Sequence, residues 1–317
     1  MNMKKNLTLL LLFYSLFFYS QSIVTTRVND TVTHWKSKNS IGIDLNEMAF
    51  MNWSAGGNSS VSGLLKGNFV RRYSDEKIKW NNELIIRYGV NMQDGLGLRK
   101  TDDALQFNST FGHRKDSLSN WYTSAKLNFN TQFTDGYAYP NTEIAISKPF
   151  APAYFFLGIG TEYVNKDKKI VLYLSPLTSK STLVLDQRLA DQGAFGVVKA
   201  VYDSNGNLLL HGRKSKNELG VLVTAMHKKE VMKNVMLENR LSLYSDYINN
   251  FGNIDVDWQL QMDLLVNKYV KANIGLHLLY DDDIKAKEQI NGEQVIVGPK
   301  LQLKQALGVG FVYNFKV

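Results

Sequence analysis

Apolar and polar residues alternate along most of this chain. In KWNNELIIRYGVN, Trp80, Asn82, Leu84, Ile86, Tyr88 and Val90 share one face, and Lys79, Asn81, Glu83, Ile85, Arg87 and Asn91 share the other. Successive side chains of a strand point to opposite faces, so a period of two marks a strand lying between two different environments. The pattern returns in WYTSAKLNFNTQF, where Trp121, Thr123, Ala125, Leu127, Phe129 and Phe133 oppose Tyr122, Ser124, Lys126, Asn128, Asn130 and Gln132. In IDVDWQLQMDLLV, Ile254, Val256, Trp258, Leu260, Met262 and Leu264 oppose Asp255, Asp257, Gln259, Gln261 and Asp263. The closing LQLKQALGVGFVYNF puts Leu301, Leu303, Leu307, Val309, Phe311, Tyr313 and Phe315 on one side, with Gln305 the exception.

Strands of soluble proteins usually run about five or six residues. Many of these runs reach the roughly 9–11 residues that a tilted strand needs to cross a bilayer. Their polar faces carry charges: Glu83, Arg87, Lys126, Glu238, Arg240, Asp255, Asp257, Asp263 and Lys304. A soluble β-sandwich alternates too. Strand length, aromatic strand ends and an export signal together favour an all-β fold, a transmembrane antiparallel up-and-down β-barrel, apolar outside and polar inside. In lipid such a sheet must close, because an open edge leaves backbone groups unpaired.

The pattern predicts about twelve strands, near 40–49, 58–73, 78–92, 99–113, 121–134, 153–164, 168–185, 217–227, 235–247, 254–266, 269–281 and 300–315. Bacterial barrels have short periplasmic turns and longer outer loops. With the chain starting in the periplasm, the even-numbered connections read SDEK, RKDSLSN, NKDK, KKEVMKN and NK, all short. The three long connections, DGYAYPNTEIAISKPFAP, the segment from Asp186 to Lys216, and DDIKAKEQINGEQVIVGP, all fall on the outer side. The second of them predicts a hairpin of its own around Asn205-Gly206, a favoured two-residue turn. Trp80, Trp121, Tyr122, Tyr154, Tyr247, Tyr269, Tyr280 and Tyr313 lie near strand ends, where aromatic rings suit a membrane interface.

The N-terminus adds the compartment. Lys4 and Lys5 precede an apolar run from Leu7 to Phe18, and polar residues with a small Ser20 follow. That is the layout of a cleaved signal peptide. The expected division is a signal peptide over 1–20, a short periplasmic segment over 21–39 and the barrel over 40–317. The chain has Cys 0, which excludes a lipid-anchored N-terminal cysteine and a disulfide framework. The net charge is +8, but basic and acidic residues are interleaved rather than clustered into the stripe of a nucleic-acid binder. The expected surroundings are therefore outer-membrane lipid and lipopolysaccharide, the barrel-assembly machinery during insertion, and an unidentified envelope protein partner, with no nucleic acid.

Four segments, MNWSAGGNSS, LQFNSTFGHRKD, YLSPLTSKSTLVLDQRLADQGAFGV and LGVGFVYNF, resemble a domain-of-unknown-function family of outer-membrane β-barrel proteins from Bacteroidota. The resemblance runs from about residue 40 to 317 and is most specific at Asn52-Trp53-Ser54 with Gly56-Gly57, and from Ser175-Pro176-Leu177 to Gly193-Ala194-Phe195-Gly196. It implies an outer-membrane barrel and no reaction.

Chemistry is sparse. The histidines His34, His113, His211, His227 and His277 form no metal-binding spacing. His113 lies near Ser109, Asp116 and Ser117, but at an expected periplasmic strand end. Asp281-Asp282-Asp283 is the sharpest acidic cluster, with His277 on the same strand face. It could bind Ca²⁺, which takes oxygen ligands, or simply be a solvated loop. Asp203 to Leu208 resembles a calcium loop only faintly, and a hairpin turn explains it better. Glu83 and Arg87, and Glu238 and Arg240, could pair with neighbouring strands and fill a narrow lumen. Gly56-Gly57 suits a tight outer turn, with Trp53 at the rim. The expected function is non-catalytic: a narrow or plugged channel, or a binding or scaffold protein of the envelope. No catalytic, cofactor or metal site is assigned. The alternative is an outer-membrane enzyme acting on lipid or peptide at the outer face.

Overall fold

The computed structural model describes residues 35–48, 59–249, 251–267, 269–290 and 293–315. The signal peptide expected over 1–20, His34 and the glycine pair at 56–57 lie outside the described residues.

Twelve strands form the wall: β1 (Trp35–Met48), β2 (Ser60–Ser74), β3 (Ile78–Gln93), β4 (Arg99–His113), β5 (Trp121–Thr131), β6 (Ala153–Asn165), β7 (Ile170–Leu183), β8 (Ser215–Met232), β9 (Val235–Asp246), β10 (Asp255–Leu265), β11 (Val270–Tyr280) and β12 (Gln302–Phe315). Each pairs antiparallel with its sequence neighbours. The ring closes where Asn39 to Leu45 of β1 run against Phe315 to Val309 of β12. Every long strand therefore has a ladder on both edges, as lipid requires. No helix among the described residues is long and apolar enough to cross a membrane.

Connections at one end are short: 75–77, 114–120, 166–169, 233–234 and 266–269. The other end carries the long ones, including 132–152, 184–214 and 281–301. The parity expected from connection lengths is the observed one. An even strand number brings both ends of the wall, Trp35 and Phe315, to the short-turn end.

Two boundaries differ from expectation. β1 begins at Trp35 rather than near Ser40, so residues 35–39, expected in a periplasmic segment, are wall. Polar Ser37 and Asn39 occupy its outward positions and hid the alternation. Asn39 is nonetheless buried, because Arg71 of the neighbouring strand donates to its side chain at 2.7 Å. Most of KKEVMKN, expected as a turn, is strand. β8 and β9 turn through Lys233 and Asn234 alone, with Asn234 at a φ of 66°.

The distribution of polarity is inverted relative to a water-soluble fold. Ser40, Asn68, Ser124, Glu162, Lys180 and Lys271 are buried, while Ile41, Leu65, Ile159, Leu174 and Leu307 are exposed on the outer wall. So wide an apolar surface is a membrane-contact surface. Its short-turn end carries an aromatic girdle. Trp35 lies 5.6 Å from both Tyr73 and Trp80, Trp80 contacts Phe111, Trp121 contacts Tyr163, and Tyr313 stacks on Phe315. Tyr122 and Tyr154, expected at the membrane interfaces near strand ends, face inward instead. Their ladder partners across the sheet are the lumen residues Glu162 and Asn130, and facing alternates strictly along β5 and β6.

One irregularity decides much of the interior. In β7, Leu174 pairs with Thr161 but Leu177 pairs with Ile159, and on the other side Ser175 pairs with Leu222 but Thr178 with Gly220. An extra residue is thus inserted opposite both neighbours, at Ser175-Pro176-Leu177. Proline has no N–H for a ladder and is found in sheets at such bulges. The Ser175 hydroxyl spans the gap, donating toward the Ile159 and Leu177 carbonyls at 2.9 Å, and Thr178 donates to Ser175 at 2.7 Å. The bulge reverses the strand's facing. Tyr173 and Ser175 face the lumen, and so do Thr178, Lys180 and Thr182, although strict alternation would send Lys180 into lipid.

The β6 strand accommodates the bulge with glycine: a Cβ on Gly160 would lie 2.0 Å from the Leu174 carbonyl oxygen and 2.7 Å from the Ser175 Cα. A Cβ on Gly275 would approach no atom closer than 3.9 Å. Gly160→Val is expected to abolish the heat-modifiable band of a folded barrel on gels run without boiling, and Gly275→Ala to leave it intact. A folded Gly160→Val barrel would show that this register is wrong.

Candidate functional site: the lumen network and the long-loop rim

Most inward-facing charges along the wall find partners, Lys38 and Arg72 being exceptions among the described residues. Near the short-turn end, Lys79 and Lys126 both engage Glu162, Lys126 at 3.4 Å, and the Lys79 ammonium lies 4.1 Å from the centre of the Tyr122 ring. Lys66 pairs with Asp44, and Lys271 with Asp263 at 3.2 Å. Lys228 and Arg240 share Glu238. Glu83, expected to meet a basic neighbour, accepts from Asn68 Nδ2 at 2.7 Å instead. Arg87 pairs with Asp102 of the next strand at 3.2 Å.

Two of these contacts join strands that are not neighbours. Lys79 of β3 lies along the wall past Gly112 and Ser124 to reach Glu162 of β6, and Lys304 of β12 reaches Asp102 of β4, four strands away, at 3.0 Å. In a round twelve-strand barrel, strands four apart would stand roughly 20 Å from each other, given ordinary strand spacing and tilt. A lysine and an aspartate cannot span that distance, so the section is flattened and its interior is bridged by side chains. An apolar groove of about 780 Å³, lined by Leu172, Leu241, Trp258 and Leu278 among others, opens on the outer wall. Its lining is largely outward-facing, so it belongs to the membrane-contact surface.

At the long-loop rim the bulge delivers Lys180 into a cluster. Its ammonium lies 2.7 Å from Asp255, 3.2 Å from Asp281 and 3.8 Å from Glu218. Lys216 pairs with Asp283 and lies 3.5 Å from Glu218. Asn253 donates to Asp282 at 2.8 Å.

The 184–214 connection forms a small folded cap. Asp186 caps the short helix α1 (Gln187–Asp191), accepting from the Leu189 N–H at 3.0 Å. Ala151, Val184, Leu189, Ala190 and Val197 form its core, with Ala194 and Phe195 packed against them. Asp191 ties the far end of the segment back, accepting from the Gly212 N–H at 2.7 Å and from Gln187 Nε2 at 2.8 Å, and meeting His211 Nδ1 at 3.1 Å. Gly196 packs against Asp283. The hairpin expected here pairs Val201–Tyr202 with Leu208–Leu210. Its loop is longer than the two residues expected: the Asp203 N–H donates to the Asn207 carbonyl, and Gly206 takes a φ of 83°. The Asp203 carboxylate is occupied by the N–H groups of Asn205 and Asn207.

The sequence-level candidates separate. Ser109 accepts from Trp80 and donates to Asn82, Asp116 holds the N–H groups of Leu118 and Ser119, and His113 stands exposed on the outer wall, so the Ser109, His113, Asp116 and Ser117 set is not assembled. His277 shares the inward face with Asp281, as its spacing suggests, but contacts Asp257 at 2.9 Å. Asp281 and Asp283 do converge with Asp255, Glu218, Lys180 and Lys216. The last three were not singled out in the sequence. The one signal toward Lys180 was Pro176 within a strand pattern.

Residues 45–137 match the model of a family described as "Protein of unknown function (DUF3078)". No curated protein matches. Among solved structures, an outer membrane channel from Pseudomonas putida F1 is similar, with 11% identity, 92% of this chain and 100% of that chain covered, and a TM-score of 0.42. The translocator domain of the autotransporter NalP from Neisseria meningitidis aligns at 9% identity over 91% of this chain and 90% of its own, with a TM-score of 0.37. The NanC porin aligns at 9% identity over 88% of this chain and 100% of its own, also with a TM-score of 0.37.

The cap offers a pH test. Burial alone would push the Asp186 carboxyl up, but the Leu189 N–H and the Lys148 ammonium outweigh it and hold it below the usual carboxylate range. Its contribution is therefore present above the ordinary aspartate value and is lost as pH falls through the lowered one. Asp186→Ala should destabilise the cap by about 1 kcal/mol, seen as faster proteolysis within 184–214 at neutral pH, with the barrel band unchanged. Lowering the pH below that range should speed cleavage in the native chain and have less effect in the variant.

Proposed function

We propose that this chain is an outer-membrane barrel of a bacterial envelope that acts as a narrow, occluded channel or scaffold and performs no chemistry of its own. The observation that carries this reading is the Lys304–Asp102 bridge between strands four apart in the ring. Charges of both signs are used up on one another, so the lumen offers neither a wide aqueous path nor a field of one sign to select ions. The exposed apolar belt and aromatic girdle suit contact with outer-membrane lipid and lipopolysaccharide. Short turns at one end and long loops at the other suit insertion by the barrel-assembly machinery, with the long loops outside. An envelope protein partner would then meet the cap.

Planar-bilayer recording tests this reading. The native barrel should show no large, steady conductance. Lys304→Ala removes one bridge and leaves Asp102 paired with Arg87, so the barrel should fold and its conductance should rise several-fold. A wide, constantly open native pore would overturn the proposal.

A further inference from the structure

Between the β9–β10 loop, the start of β10 and the β11–β12 loop lies a cavity of about 10 Å³, room for one water or one ion. Glu218, Tyr244, Asp246, Asn253, Asp255 and Asp282 are among its lining residues. Asp255, Asp281 and Asp282 each bring a carboxylate oxygen to within 4.8 Å of the others. That spacing suits oxygens arranged around an ion with bonds of about 2.3–2.6 Å.

A second observation is independent of the acidic cluster. Tyr244 is 4% exposed, lines this cavity, and its hydroxyl has no hydrogen-bond partner among the described residues. Glu218 is as deeply buried and pairs with the Lys180 ammonium at 3.8 Å. Buried polar atoms are rarely left unsatisfied without a reason such as a bound ion or water. The charge balance points the same way. Six carboxylates (Glu218, Asp246, Asp255, Asp281, Asp282 and Asp283) gather around two ammonium groups, Lys180 and Lys216.

We propose that this rim is a calcium site, with Asp255, Asp281 and Asp282 as its carboxylate ligands. The donors are carboxylate oxygens in an irregular arrangement, which suits Ca²⁺. Mg²⁺ demands a regular octahedron and retains its waters, and Zn²⁺ favours nitrogen and sulfur. The ion would tie β10 to the loop after β11, offset the local excess of negative charge, and leave Lys180 and Lys216 in their present pairs. It deepens the proposed function by fixing the mouth of the barrel, but does not depend on whether the lumen conducts.

The test uses the full chain, refolded in detergent free of lipopolysaccharide and titrated with CaCl₂ by calorimetry. One saturable site is expected, with thermal unfolding shifted upward by calcium and the shift reversed by EDTA. Asp281→Asn with Asp282→Asn should weaken binding at least tenfold, and Asp282→Asn alone several-fold, while Glu143→Gln on an exposed loop should bind as the native chain does. Heat-modifiable migration establishes that each variant is folded. No saturable calcium heat in the native barrel would overturn the proposal. So would undiminished binding by folded Asp282→Asn, or Mg²⁺ bound as tightly as Ca²⁺.

Discussion

Everything in this molecule follows from the requirement that no backbone hydrogen-bonding group be left unpaired in lipid. Each such group would cost several kcal/mol, and the pairing of β1 with β12 removes the last free edge. Closure does more than complete the ladders. With a partner on both sides, a strand cannot slide, and register determines which side chains face the bore. A slip of one residue would turn Glu162, Lys180 or Lys271 toward the bilayer and bring leucines inside. Backbone pairing thus fixes the interior, and the interior has to be chemically consistent with it.

That consistency explains the lumen. Buried charges are tolerated when paired and are costly when alone. Lys271, 1% exposed, sits on Asp263, and Glu162 receives two lysines. Where no partner lies on the adjacent strand, the pair reaches across, as Lys304 does to Asp102. Such a contact draws non-adjacent strands together, so pairing and flattening have one cause.

The strands were legible because alternation over long runs has one economical explanation, and connection lengths gave their polarity. What escaped the sequence escaped for local reasons. Trp35 opens β1, but the polar KSKNS that follows breaks the apolar rhythm. Tyr122 and Tyr154 have the composition of a girdle residue, and only register reveals that they face inward. Lys180 required knowing that Pro176 sits in a bulge, since period two alone assigns it to lipid. The acidic triplet was visible as a cluster. Its relation to Asp255 and Glu218 was not, because the register of β10 on β11 brings the first to it and the closing of the ring the second.

The bulge and the mixed charges of the bore bear on each other. A lumen built to select an ion would carry an excess of one sign along its length, whereas here nearly every inward charge along the middle of the wall has an opposite partner. Such pairs are weak contributors to net stability, yet a shifted register would expel them into the bilayer, at about 2–4 kcal/mol for each basic side chain near the midplane. Their effect is to make wrong registers expensive. The bulge at Pro176 permits one strand to serve two phases of that scheme: its first half seals Tyr173 and Ser175 into the short-turn side, and its second half turns Lys180 toward the acidic rim. At the rim pairing stops short of balance on the acidic side, and this is also where the wall gives way to loops and water can reach. An excess of negative charge at that boundary is tolerable where the same charge deeper in the bore would not be.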